Sequence, residues 1–281
     1  MKNEGDKKMV KEIIEKKGDI KRIKTYIQGF DEAMGGGIPE GHVVLVAGSA
    51  GTMKSSITFN ILYNEVLNNG KIGLFICLEQ SYVSLLNHMI NMGFDFSKIE
   101  VVIIGSDISE MKKKIQQIRA NKKGTFIISD IGTLRKEVRD TKISSGGSWW
   151  NLIKNILKRL KEECGLDLFV LDSLNALYVL SDFKEVRNEL FYMFEFFRSL
   201  DVTTFLISEM PLDRSKYAEY EVEDFLADGV IMLRLIERYR KVTREISVVK
   251  MRATECNIDI FTLEYDGQNF KAMYGGKPPL V

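Results

Sequence analysis

Apolar residues along this chain fall into short runs set apart by amphipathic stretches. The runs are Val43–Ala47, Ile72–Leu78, Val101–Ile104, Phe126–Ile128, Leu168–Leu171, Phe205–Ile207 and Val230–Leu233. Each is brief, rich in β-branched or aromatic residues and bounded by Gly, Asp or Ser, the pattern of a strand buried on both faces. Helical patterns lie between them, at Ser55–Leu67, Trp150–Glu163 and Lys184–Leu200. This alternation predicts an α/β fold with a mostly parallel central sheet covered by helices. The rhythm then changes. Val230–Leu235, Arg244–Met251 and Ile258–Tyr265 are separated by short polar turns, which predicts a C-terminal antiparallel strand extension. The basic stretch Lys112–Lys123 carries Ile115 and Ile118 at helical spacing and reads as a surface helix. Met9–Lys17 reads as a short helix, and the tail from Gly275 to Val281 as irregular.

Composition narrows the class. The chain has 281 residues, 45% hydrophobic and 28% charged, as in ordinary globular domains. Lys and Arg total 40 against 39 Asp and Glu, so the overall excess of positive charge that marks many nucleic-acid binders is missing. Cys77, Cys164 and Cys256 lie far apart, which favours reduced thiols over disulfides or a metal site. The N-terminus lacks the apolar core of a signal peptide, and no apolar run approaches the ~20 residues that span a bilayer. The expectation is a cytoplasmic protein without a membrane span, whose lysine-rich start is a solvated extension rather than a DNA-binding arm.

The strongest local signal is Gly48-Ser49-Ala50-Gly51-Thr52-Met53-Lys54-Ser55, followed by Ser56. It joins a predicted strand to a predicted helix and fits the phosphate-loop pattern G-x-x-x-x-G-K-S/T everywhere except Met53. Such a loop curls backbone N–H groups around phosphates above a helix N-terminus. Lys54 supplies positive charge and Ser55 a hydroxyl for Mg²⁺. The alternative is a glycine-rich turn that only connects strand to helix. If position 53 requires φ > 0, methionine costs on the order of 1–2 kcal/mol there. If it does not, the side chain packs away from the nucleotide.

The flanks carry a family resemblance. Gly29-Phe30-Asp31-Glu32-Ala33-Met34-Gly35-Gly36-Gly37-Ile38-Pro39-Glu40-Gly41 resembles the G-L/F-D-x-x-x-G-G-G-I/L-P-x-G lead-in of KaiC-like ATPases of the RecA/RadA superfamily. Leu78-Glu79-Gln80 stands where the family has a pair of glutamates, with Gln80 departing from it. Phe169-Val170-Leu171-Asp172-Ser173-Leu174 looks like the Walker B strand, and Thr203–Glu209 like the sensor strand. Val249-Lys250-Met251-Arg252 looks like the K-x-R segment. The resemblance covers about residues 23–270. It implies a RecA-like P-loop domain there, between an extension at 1–22 and a tail at 271–281.

The resemblance also implies roles. Residues Gly48 to Ser56 would hold ATP. Ser55 and Asp172 would hold Mg²⁺, as a strand-end carboxylate can, although Asp172 or Ser173 can equally cap the next helix. Lys54, Glu79 and Glu209 are the catalytic candidates, with Glu79 polarising the attacking water. Lys250 and Arg252 share one face of a strand. In KaiC-like hexamers such residues reach the neighbouring subunit's nucleotide, so a homo-oligomeric ring with ATP at subunit boundaries is implied. The other reading is an exposed basic face.

Three functions remain in view. One is an ATPase that couples nucleotide state to assembly and to a protein partner not named by the sequence. Another is a nucleotide-binding scaffold with little hydrolysis, and the third a RadA- or RecA-like protein acting on DNA. The loops near Val179–Glu185 and Met210–Asp224 contain Asp182, Glu185, Asp213, Glu219, Glu221, Glu223 and Asp224 against Lys184, Arg214 and Lys216. A phosphate backbone needs positive charge along its track, which ranks DNA last. Tyr217 and Tyr220 either stack on bases or pack locally.

Overall fold

A computed structural model describes residues 20–105, 108–121, 123–134, 149–181, 183–210, 218–238 and 240–274. Among the described residues eleven strands form one sheet. Its parallel part contains β4 (Val43–Gly48), β5 (Ile72–Cys77), β6 (Glu100–Ile103), β7 (Thr125–Asp130), β8 (Leu168–Asp172), β9 (Thr203–Glu209) and β10 (Gly229–Arg238). Then β11 (Lys241–Met251), β12 (Ile260–Tyr265) and β13 (Phe270–Tyr274) continue antiparallel from β10. The short β2 (Ile27–Gln28) pairs at the β13 edge, while β1 (Arg22–Ile23) and β3 (Ile38–Pro39) form a separate two-stranded pair. The expected architecture, mostly parallel with an antiparallel C-terminal extension, is the one found.

Burial explains why the parallel runs are apolar throughout. Every residue of β4, β7 and β8 is buried. Alternate side chains enter two cores, one on each face. One core holds Leu45, Ile76, Phe169 and Leu206 with helices α3 (Ile108–Ala120), α4 (Trp149–Cys164), α5 (Leu174–Leu180) and α6 (Val186–Ser199). The other holds Val46, Phe75, Val170 and Ile207 with α1 (Lys54–Asn69) and α2 (Tyr82–Asn91). On α4, Ile153, Ile156, Leu157 and Leu160 are buried at the i, i+3, i+4, i+7 spacing of one helix face. Ile115 and Ile118 of α3 likewise point inward, as their spacing predicts. Phe59 of α1 anchors the second core, with ring centroids 4.8 Å from Phe126 and 5.4 Å from Phe94. Burying such a ring is worth about 1.5–3 kcal/mol.

The lead-in is a structural brace. Its three consecutive glycines, Gly35 to Gly37, turn the chain back on itself, and a Cβ at Gly37 would lie 2.4 Å from the Ile23 carbonyl oxygen. Arg22 donates to the carbonyls of Met34 and Gly37 and to the Thr254 hydroxyl. This ties the start of the described chain to the segment that follows β11.

Tyr220 packs edge-on against Tyr178 with centroids 5.0 Å apart, the local-packing alternative, while Tyr217 lies outside the described residues. The expected helix at Met9–Lys17 and the tail from Gly275 onward also lie outside them. Among the described residues no helix is long and apolar enough to cross a membrane. Cys77 is buried, Cys164 and Cys256 are half-buried, and all three are free thiols.

Candidate functional site

Strand order decides which side chains meet. The sheet places β4, β9, β8 and β5 side by side and parallel, so their carboxyl ends form one continuous edge. Ligands gather at this edge in open α/β sheets. The loop with Lys54 follows β4, Glu209 ends β9, Asp172 ends β8, and Glu79 comes two residues after β5. Residues distant in sequence thus line one cleft of about 220 Å³, together with Ala50, Gly51, Thr52, Met53 and Ser55. Two bonds hold the edge together. Met210 N donates to the Gly48 carbonyl at 3.1 Å, and Leu78 N to the Asp172 carbonyl at 2.5 Å.

The loop has the shape of a phosphate cradle. A Cβ at Gly48 would lie 2.8 Å from both the Leu233 carbonyl oxygen and the Thr52 hydroxyl oxygen, so no side chain fits there. The Thr52 hydroxyl donates to the Ser49 carbonyl at 2.8 Å. Met53 has φ 73° and ψ 27° and sits directly before α1. The position therefore does require the left-handed conformation that glycine adopts freely. The Met53 side chain turns toward the core shared by α1 and the C-terminal strands, and also lines an adjoining hollow of about 390 Å³ with Arg244, Thr262, Leu263 and Tyr265. Of the two alternatives for this residue the first holds: the backbone is left-handed, and the side chain lines both the cleft and the adjoining hollow.

Lys54 is only 8% exposed. Its ammonium folds back on the loop, donating to the carbonyls of Gly48 at 2.7 Å and Ser49 at 2.9 Å. Burial lowers its pKa, opposed by the negative charges of Glu209, Asp172 and Glu79. Asp172 is 4% exposed. Burial raises its pKa to about 6, with Glu79 and Glu209 adding to the rise and the Ser55 hydroxyl and Lys54 opposing it. Ser173, rather than Asp172, caps α5: its hydroxyl accepts from Ala176 N at 3.3 Å and donates to Glu79. Asp172 is thereby left facing Ser55. A buried carboxylate beside a hydroxyl at the foot of the cradle fits a hard divalent cation, which takes oxygen ligands.

Lys250 and Arg252 are not part of this cleft. Lys250 pairs with Val230, which pairs in turn with Leu45, and Arg252 N donates to the Asp228 carbonyl beside Val43. Lys250 therefore sits level with the middle of β4, three residues or about 10 Å from Gly48, and Arg252 toward the amino edge of the sheet, five residues or about 17 Å from it at ~3.3 Å per residue. Lys250 spends its three donors on the carbonyls of Asp224, Phe225 and Ala227. Arg252 pairs with Asp228 at 2.6 Å and stays half exposed. Two further residues at the cleft carry no signal in sequence. Asn175 accepts from Glu209 N at 2.9 Å, and Arg244 holds the Gly51 carbonyl at 3.1 Å. Each contact joins segments far apart in the chain.

A strand, cradle and helix at the carboxyl edge of the sheet make this a P-loop fold, and the strand order with its antiparallel C-terminal extension makes it RecA-like. A family profile described as "ATPase: KaiC" matches residues 23–269, and the chain belongs to that ATPase family. It is 27% identical over 251 residues to the circadian clock oscillator protein KaiC of Prochlorococcus marinus subsp. pastoris, covering 89% of this chain and 44% of that one. A UPF0273 protein of Sulfurisphaera tokodaii is 29% identical over 248 residues, covering 85% of this chain and 77% of its own length. The chain spans less than half the length of the KaiC relative. The solved structure of a KaiC-like protein from Pyrococcus horikoshii superposes with a TM-score of 0.70 at 24% identity, covering 91% of this chain and all of that one, a likeness of fold.

Proposed function

We propose that this chain binds ATP with Mg²⁺ in the cleft at Gly48–Ser56 and hydrolyses it within a head-to-tail assembly of its own copies. The observation that carries the reading is the convergence of Lys54, Glu209, Asp172 and Glu79 from four adjacent strand ends. On this reading the loop amides and Lys54 bind the phosphates, exchanging the Lys54 bonds to Gly48 and Ser49 for phosphate oxygens. Ser55 and Asp172 hold the cation, which when bound neutralises phosphate charge. One oxygen of Glu79 is held by Ser173, which orients the carboxylate to take a proton from water. The hollow beside Met53 and Tyr265 takes the nucleoside.

Positioning and charge neutralisation dominate phosphoryl transfer, and among the described residues lining the cleft the cation is Lys54, with Arg244 held at the rim on the Gly51 carbonyl. Arg252, with Lys250 beside it, supplies the remaining positive charge from a neighbouring copy, since within one chain Arg252 lies toward the other edge of the sheet and Lys250 is turned onto the carbonyls of Asp224, Phe225 and Ala227. Six copies is the number implied by the resemblance to KaiC hexamers. The nucleotide state of such an assembly would be read by a protein partner. A second reading, a nucleotide-binding scaffold with little turnover, is favoured by one observation, the left-handed backbone at Met53.

Two variants test the site. Lys54→Ala should weaken ATP·Mg²⁺ binding by about a hundredfold in a calorimetric titration, in line with losing a charged hydrogen bond of ~1.5–3 kcal/mol. Unchanged affinity sinks the assignment. Glu79→Gln should keep affinity within about twofold while steady-state turnover falls roughly 10²–10⁴-fold. Equal loss of both moves Glu79 from base to ligand.

A further inference from the structure

An exposed aromatic ring stands beside these two cations. Phe225 is 73% exposed, yet its backbone is firmly held. Its carbonyl accepts from Lys250 and from Arg252, each at 3.2 Å. The same turn, helix α7 (Glu223–Leu226), is pinned by Glu223. That buried carboxylate accepts from the Tyr178 hydroxyl at 2.9 Å and from the amides of Tyr220 and Val222. A large apolar side chain on a hydrogen-bonded turn and left in water is free to enter a pocket on a partner as an aromatic anchor.

The carboxyl edge carries its counterpart. Leu78, Ile131, Ala176, Val179 and Leu180 line an apolar hollow of about 370 Å³, and Glu79 and Glu209 form part of its wall. Those two carboxylates also line the phosphate cleft, so hollow and cleft adjoin. Val179, in the wall, is 87% exposed. A cavity of ~150 Å³ suffices for benzene, so the hollow has room for a phenyl group.

We infer that Phe225 of one copy seats in the Leu78–Val179 hollow of the next, a knob that sets the distance between Arg252 and the neighbour's cleft. This rests on the head-to-tail reading and deepens it. The occupant is a second copy because the surfaces match twice. The ring travels with Lys250 and Arg252, and the hollow lies beside the acidic trio Glu79, Asp172 and Glu209. Apolar therefore meets apolar where positive meets negative. The arrangement is heterologous, so it repeats around a ring or along a filament.

The test uses Phe225→Lys, Val179→Glu and the double variant, with assembly followed by solution mass against protein concentration in saturating ATP·Mg²⁺. Each single change should raise the concentration for half-assembly roughly tenfold or more, as for a buried aromatic anchor. The double variant should recover most of that loss, because lysine then faces glutamate across the contact. Calorimetric ATP affinity below the assembly concentration should stay within about twofold of native, reporting that the variants fold. Single variants that assemble like the native chain overturn the inference, as does a double variant no better than the worse single. The knob alone fails if the native chain assembles with ATP but these variants behave as native. The head-to-tail reading fails, and the knob with it, if the native chain stays monomeric at every ATP concentration.

Discussion

At the scale of single residues, Met53 is a position where local preference and fold disagree. Left-handed backbone costs an L-residue on the order of 1–2 kcal/mol, and glycine pays nothing. Loop curvature at the start of α1 nevertheless imposes φ 73° there. Met53→Gly should therefore raise stability by about 1 kcal/mol, less the packing lost from the thioether, and should raise ATP affinity or turnover. A denaturation midpoint, a titration and a turnover measurement on the same variant check this. Kinetics and affinity both unchanged would show that the loop's function tolerates a side chain at position 53. The loop itself was legible in sequence because its chemistry is contiguous: glycines, Lys54 and Ser55 are consecutive neighbours of one strand end. Arg244 and Asn175 were not, because an arginine within a strand and an asparagine in a helix acquire meaning only from partners 193 and 34 residues away.

Among elements, the same contrast holds. The parallel strands were readable because both faces are buried, which leaves runs such as Leu168–Asp172 almost wholly apolar. The two-residue strands β1, β2 and β3 were not, since two residues carry no period, and β13 alternates buried and exposed positions like any half-covered edge. Asp228, unremarkable in sequence, joins four elements. It bonds Val43 at the start of β4, Arg198 at the end of α6 and Arg252 after β11, and it follows α7. Burial raises its pKa, but the Val43 amide and the two guanidinium groups more than offset this, and the net shift is downward. A depressed folded pKa contributes stability above the unfolded value of ~4 that is lost as pH falls through the folded value. Asp228→Asn should therefore cost about 2 kcal/mol near pH 7, below the 3–5 of a fully buried pair because the arginines are part-exposed. The gap between native and variant should shrink below about pH 4. Urea midpoints across pH check it, and a gap that instead widens in acid would mean that the carboxylate is not held charged by these partners.

For the whole molecule the decisive feature is that Lys54 and Arg252 lie toward opposite edges of one sheet. No rotamer change closes about 17 Å (five residues at ~3.3 Å), so Arg252 either serves its own chain through Asp228 or serves a neighbour. A mixture of two inactive variants separates these. Glu79→Gln lacks the base but presents an intact Arg252, and Arg252→Ala lacks the cation but keeps Glu79. If the cation acts across a boundary, some mixed interfaces place an intact Glu79 against an intact Arg252. In a random equimolar ring each interface has about one chance in four of this, so ATPase should recover to about a quarter of native. If Arg252 acts within its own chain, no subunit in the mixture is complete and nothing returns, even where mass measurements show that subunits exchange. The Asp228 bond gives a control, since Arg252→Ala frees one of its partners and could lower stability without touching catalysis. An Arg252→Ala chain that retains native ATP affinity and assembly, yet regains turnover only on mixing, places Arg252 at its neighbour's nucleotide. Turnover that survives in Arg252→Ala alone removes the arginine from catalysis and leaves it as a brace for the turn at Phe225.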